Sequence, residues 1–222
     1  MKKIEKKLAQ REKADLIAII QLMLHLEPDL QWLLETPLPT SSSEKAIPKP
    51  EMYRQQVLAA LTAGEPQPRY KLGKVEKKLA AIKAIADEFV EHEHYVAALT
   101  IYEVLVNEVI AHFNHYPDEY IAFSVILMGC IDGLDSCFAG EEGNPAIRLR
   151  VLRTLFAIYR FYADSGMDLD EDIPGLLAGN TTSEERQEIA IWVQNALAKS
   201  KYGSQRYSLL LSALKKADSK QS

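Results

Sequence analysis

Four of the five histidines, His92, His94, His112 and His115, fall in one stretch, residues 84–147, that holds twelve Asp or Glu and no Lys or Arg. On a helix, Glu108 stands one turn before His112 and His115 follows three residues later, a spacing that can gather metal ligands. A wheel at about 100° per residue works against such a site. Thr100, Glu103, Asn107 and Asn114 form a polar stripe with His115 towards its edge, whereas His112 falls among Ile101, Leu105 and Val109. No HExxH pattern and no paired-cysteine spacing is present, so His112 reads as a buried or boundary histidine bonded to Glu108, and no metal is expected.

Cys130 and Cys137 are two helical turns apart, about 10 Å along an axis, too far for a disulfide between them. They share a face with Phe123, Ile126, Leu127 and Leu134, which makes core packing the expected role. The run Asp168-Leu-Asp170-Glu-Asp172 opens like a calcium loop but puts Ile173 where glycine is required and Gly179 where the closing glutamate belongs. No phosphate loop, nucleophile elbow or dinucleotide fingerprint occurs, so neither a catalytic set nor a cofactor is expected.

Asp132 and Asp135 interrupt an otherwise apolar segment from Ile121 to Phe138, and unpaired carboxylates there would be costly to bury. The next helix carries Arg150, Arg153 and Arg160 on one stripe. A fold-back around 139–145 would bring Asp132 level with Arg153 and Asp135 level with Arg150. Such a line is either a structural ion-pair ladder or the wall of a ligand groove.

Charge is segregated along the chain. Residues 1–83 carry fifteen bases and ten acids, and 148–222 carry eleven and nine, giving −5 overall with the acidic block. The block reads either as solvated helix faces or as a surface for a basic partner. Basic clusters at Lys2, Lys3, Lys6, Lys7, Arg11 and Lys13, and at Arg69, Lys71, Lys74, Lys77 and Lys78, could meet phosphates. The net charge, the long acidic middle and the lack of an aromatic-interleaved basic stripe argue against nucleic acid. The expected function is a non-catalytic scaffold that binds a protein through this acidic surface, with Glu91, Glu93, Glu103, Glu108, Asp118 and Glu119 as candidate contacts. The other reading is a small-ligand binder or enzyme built on Asp132, Asp135, Arg150 and Arg153.

The elements that must position these residues are helices. Apolar spacings of three and four predict a helix from Lys2 to about Leu34, interrupted at Glu27-Pro28-Asp29, and further helices at 50–63, 73–91, 94–115, 119–138, 146–164, 171–178, 183–199 and 204–217. Asn144-Pro145 starts one, Gly166 follows its end, and Thr182 with Glu185 makes a capping box for another. The fold class is all-α, with short connections and small-and-aromatic pairing (Ala86, Phe89, Ala98, Tyr102). These favour an irregular, tetratricopeptide-like stack of antiparallel hairpins forming an α-α superhelix. The organisation is an N-terminal helical segment over 1–35, a Pro/Ser-rich linker over 36–50 and a main domain over 51–222.

The segment Lys13-Ala-Asp-Leu-Ile-Ala-Ile-Ile-Gln-Leu-Met-Leu-His-Leu-Glu-Pro-Asp-Leu-Gln-Trp-Leu-Leu, followed by Tyr53-Arg54, resembles the helical region that follows the finger in bacterial SWIM zinc-finger proteins. The likeness covers roughly residues 12–110 and implies a helical scaffold. The finger's Cys-x-Cys and Cys-x-His pairs are absent, so its zinc does not carry over.

Two cysteines and the lack of an apolar leader make a reducing cytoplasm the expected location, and the longest nearly apolar run, Tyr120 to Ile131, is too short to span a bilayer. Leu16, Ile19, Ile20, Met23, Leu24 and Trp32 offer more apolar surface than a free helix should expose. Burial within one chain, as a monomer, is favoured over exchange between two chains because it avoids the entropy of association.

Overall fold

A computed structural model of the chain describes residues 2–34, 36, 48–62, 72–115, 120–167 and 173–221. Most of the Pro/Ser-rich segment, Arg69 and Lys71, Asp118 and Glu119, and the Asp168–Asp172 run lie outside the described residues. The chain divides into two compact units, Met1–Pro37 and Leu38–Ser222.

The first unit contains α1 (Lys2–Leu8), α2 (Lys13–Leu26) and a 3-10 turn, Pro28–Leu34. The single long helix expected up to Pro28 is broken at residues 9–12. Ala9, Gln10, Arg11 and Glu12 are all good helix formers, so local propensity does not mark the break. Glu12 instead takes an extended conformation, φ −70° and ψ 153°, ahead of α2. Pro28 acts as expected: α2 ends one residue before Glu27, whose N–H still donates to the Met23 carbonyl at 2.8 Å. No residue of α2 is buried.

The second unit contains α3 (Pro50–Thr62), α4 (Leu72–Glu91), α5 (Tyr95–His112), a 3-10 turn (Phe113–His115), α6 (Tyr120–Gly140), α7 (Pro145–Ser165), α8 (Ile173–Gly179), α9 (Ser183–Leu197) and α10 (Ser204–Gln221). The described residues form helices joined by turns and short connections, with no strand among them. From α3 to α7 each helix packs on the next and on the next but one, and α7 to α10 continue the pattern. α5 sits at the centre, against α3, α4, α6 and α7, and nine of its residues between Ala97 and Val109 are buried.

The helix ends follow their local chemistry. The Asn144 side chain accepts from the Ile147 N–H with Pro145 in the first turn of α7, and Gly166 ends that helix at φ 71°, where a side chain would be strained. Thr182 and Glu185 form a reciprocal capping box on α9. Gly133 of α6 answers a different need: the buried Tyr102 ring lies where its Cβ would be, so α5 and α6 close together there. α5 and α6 are each long and apolar enough to cross a bilayer by length and composition, and in this fold half or more of each apolar window is buried.

Candidate functional site

Three carboxylates of the acidic block are taken up by cations from outside it. Lys83 holds both oxygens of Asp87 at 2.9 and 2.8 Å, and the Tyr102 hydroxyl donates to the same carboxylate at 2.6 Å. Burial, and then the Asp87 charge beside it, push the Tyr102 hydroxyl pKa upward. Arg150 forks onto Glu103 at 3.0 and 2.6 Å, and Arg54 meets Glu108 at 2.8 Å. The hydrogen bond to Glu103 raises the Arg150 pKa against the opposing effect of burial. Glu103 and Glu108, expected as surface contacts, are thus tied into ion pairs between helices, Glu108 with its side chain only 12% exposed. Segregation along the sequence becomes complementarity in space.

The carboxylates that remain are Glu88, Glu91, Glu93, Asp132 and Glu142, all exposed, with Asp135 and Glu141 half-buried. None of these seven makes an ion pair among the described residues. Five of them gather at one end of the unit. The Tyr95 ring lies against Gly140, and the Cys137 thiol is 3.7 Å from the Tyr95 carbonyl, which brings the α4–α5 turn beside the α6–α7 turn. Glu88 and Glu91 close α4, Glu93 lies in its turn, and Glu141 and Glu142 follow α6. These are the negative ends of two helix dipoles, where acidic side chains are unfavourable.

Glu93 adds a backbone cost. It has φ 62°, the only positive φ of a non-glycine among the described residues. Its N–H donates to Val90 at 2.9 Å and the His94 N–H to Phe89 at 2.8 Å, the hydrogen-bond pair of a helix end that glycine usually completes. The sequence signal was available: α4 stops at His92-Glu93-His94 with no glycine to stop it.

The line expected from Asp132 and Asp135 to Arg150 and Arg153 does not form. α6 and α7 are neighbours, but Arg150 turns to α5 and Arg153 to Glu188 of α9 at 3.9 Å. Asp132 is exposed and Asp135 half-exposed, so water rather than an arginine satisfies them. Apolar neighbours along α6 do not bury these two aspartates, because they lie on the face that α7 leaves open.

His112 Nδ1–H donates to the Glu108 carbonyl, 2.9 Å away, and lies 3.7 Å from the Glu108 carboxylate that Arg54 occupies. No group of three or more His, Cys, Asp or Glu able to hold a metal occurs among the described residues. Cys130 and Cys137 are buried in the core, and burial pushes both thiols up to about 12, away from the reactive thiolate.

A second feature runs along α7, where the sequence places Arg153 and Arg160 on one stripe but does not reveal the hollows beside them. Hollows of about 590 and 340 Å³ flank a shared ridge of Arg153, Phe156 and Arg160. The larger is walled by Phe113, Asn114 and Phe161, and the smaller by Trp192, Asn195 and Lys199. The Arg153 guanidinium lies 5.4 Å from the Trp192 ring centre and is 61% exposed; Arg160 pairs with Asp164 one turn on, at 3.4 Å. The available signal was the seven-residue spacing of two arginines beside a phenylalanine on one helix face.

No protein-family model matches this chain, and neither a curated protein nor a solved structure matches it.

Proposed function

We propose that this chain is a non-catalytic helical scaffold that binds a protein partner by presenting its acidic end, the junction of the α4–α5 and α6–α7 turns, to a basic segment. The observation that carries this reading is Glu93, an acidic side chain kept at φ 62° where glycine would be less strained, among carboxylates at two negative helix ends. Backbone strain held at one exposed charged residue points to function more than to packing. Packing of consecutive helices, and of most next-but-one pairs, on one another supports the finer arrangement, an irregular tetratricopeptide-like superhelix.

The test pairs stability with capture. Glu93→Gly should raise the melting temperature while weakening retention of a partner from native lysate, and Glu91→Lys with Glu142→Lys should abolish that retention. A wild-type chain that retains nothing above background, or charge-reversed variants that retain the same partner, would sink the proposal.

A second reading comes from another class. The α7 ridge, with Arg153, Arg160 and Lys199 beside Phe156 and Trp192, suits a ligand carrying an anionic group on an apolar body. Trp192 emission, followed in a Trp32→Phe background, should respond to such a ligand and lose the response in Arg153→Gln. No response to either a phosphorylated or a carboxylated aromatic probe rejects it.

A further inference from the structure

We propose that α2 is a self-association face, on which two copies of the chain pair antiparallel about a two-fold axis passing beside Ile20. The helix is apolar over most of its circumference, yet Ile17 is 46% exposed, Ile20 42% and Met23 53%. At about 100° per residue these three lie within roughly 60° of one line down the helix, and the half-buried Leu16 and Leu24 lie within about 40° of the same line. The same line begins at Lys13 and ends at Glu27, the residue that closes α2, and both are exposed.

That placement of charge selects the partner and its direction. Residues equidistant from Ile20 stand at the same level in an antiparallel pair. Lys13 then faces the partner's Glu27 and Glu27 faces the partner's Lys13, one ion pair at each end of an apolar seam. Parallel pairing would oppose lysine to lysine and glutamate to glutamate. A two-fold contact of this kind is self-complementary and closes at two copies. The helix length sets the strength. Two helices of about 21 Å bury less than the roughly 800 Å² per partner of a standard interface, so the dimer is expected in the micromolar range.

Sedimentation equilibrium on the full chain is the test. A dimer dissociating in the micromolar range is expected. Ile20→Lys, which brings two lysines together near the axis, should leave a monomer with unchanged helical content and melting temperature. Lys13→Glu alone should weaken the dimer about three- to tenfold, and Lys13→Glu with Glu27→Lys should restore it. A chain still monomeric at about 100 µM overturns the proposal, whether α2 is then covered by its own chain or by a lipid vesicle. A dimer of unchanged strength in Lys13→Glu also overturns it, because parallel pairing would only exchange a facing lysine pair for a facing glutamate pair.

Discussion

α2 and α5 are both dominated by Leu, Ile, Val and Ala, and their fates differ completely. α5 has four helices around it and nine buried residues, whereas within its own unit α2 packs on the Pro28–Leu34 turn and has no buried residue. The apolar pattern therefore states how much surface a helix must cover, not what covers it. α5 obtains its cover from partners brought close by short connections, with Ala97 and Ala98 admitting neighbours and Gly133 of α6 admitting Tyr102. α2 is followed by a 3-10 turn that begins at Pro28, and its Lys13 and Asp15 lie in its first turn.

The contrast makes graded predictions. The largest effect belongs to Leu105→Ala in α5. Its side chain is fully buried, and its removal should cost about 2–5 kcal/mol through lost transfer energy and the cavity left behind, read from urea midpoints at constant m. A cost below 1 kcal/mol would mean that the centre of the fold is loosely packed and the contrast overstated.

Gly133→Ala comes next. Alanine gains up to about 1 kcal/mol of helix propensity but must displace the buried Tyr102 ring, an overpacking cost of about 1–3 kcal/mol, so net destabilisation is expected. Gly143→Ala, where nothing lies near the added Cβ, is the control and should change little.

The third prediction tests an ion pair outside the α5 shell. Arg148 forks onto Glu185 at 2.8 and 2.9 Å and lies 3.8 Å from the Phe138 ring centre, while Glu185 also accepts from the Thr182 N–H at 2.8 Å. Burial would raise the Glu185 pKa, but the bonds from Arg148 and Thr182 outweigh it and hold the carboxyl below its ordinary 4.5. The unfolded chain therefore binds that proton more readily. The stabilisation is full above pH 4.5 and drains away as the pH falls below it through the lower folded value. Glu185→Gln should lower stability at pH 7 and flatten this acid limb. An unchanged limb would show that other carboxylates dominate acid unfolding.

The smallest effect sharpens the comparison from the other side. Ile20→Ala in α2, measured at a concentration that keeps the chain monomeric, should shift the melting temperature of the main transition by no more than an ordinary surface substitution, within about 0.5 kcal/mol. A loss like that of Leu105→Ala would mean that α2 has a covered face in the monomer.

Most of the helices were legible because their signals are local. Spacings of three and four, Pro28, Asn144-Pro145, Gly166 and the Thr182–Glu185 box each act within one turn of chain, and the helix bounds fall within a few residues of those expected. The break at 9–12 escaped because good helix formers occupy it. The candidate site was legible only as composition: an acidic block with basic flanks, and arginines on α7. Which carboxylate meets which cation depends on how helices far apart in sequence rotate against one another. A rotation of one residue, about 100°, is enough to send Arg150 to Glu103 instead of Asp135. The same reason hid Arg186, which is 1% exposed and bonded to Asp218 of α10. By itself the sequence determined that the chain is helical, where its helices begin and end, and that charge is unevenly spread, because each is a property of neighbours along the chain. Only the tertiary structure decided that Glu103 and Glu108 are bound while Glu91 and Glu93 stay open, and that α5 is enclosed while no residue of α2 is buried. Those outcomes are set by packing between residues that the chain brings together from a distance.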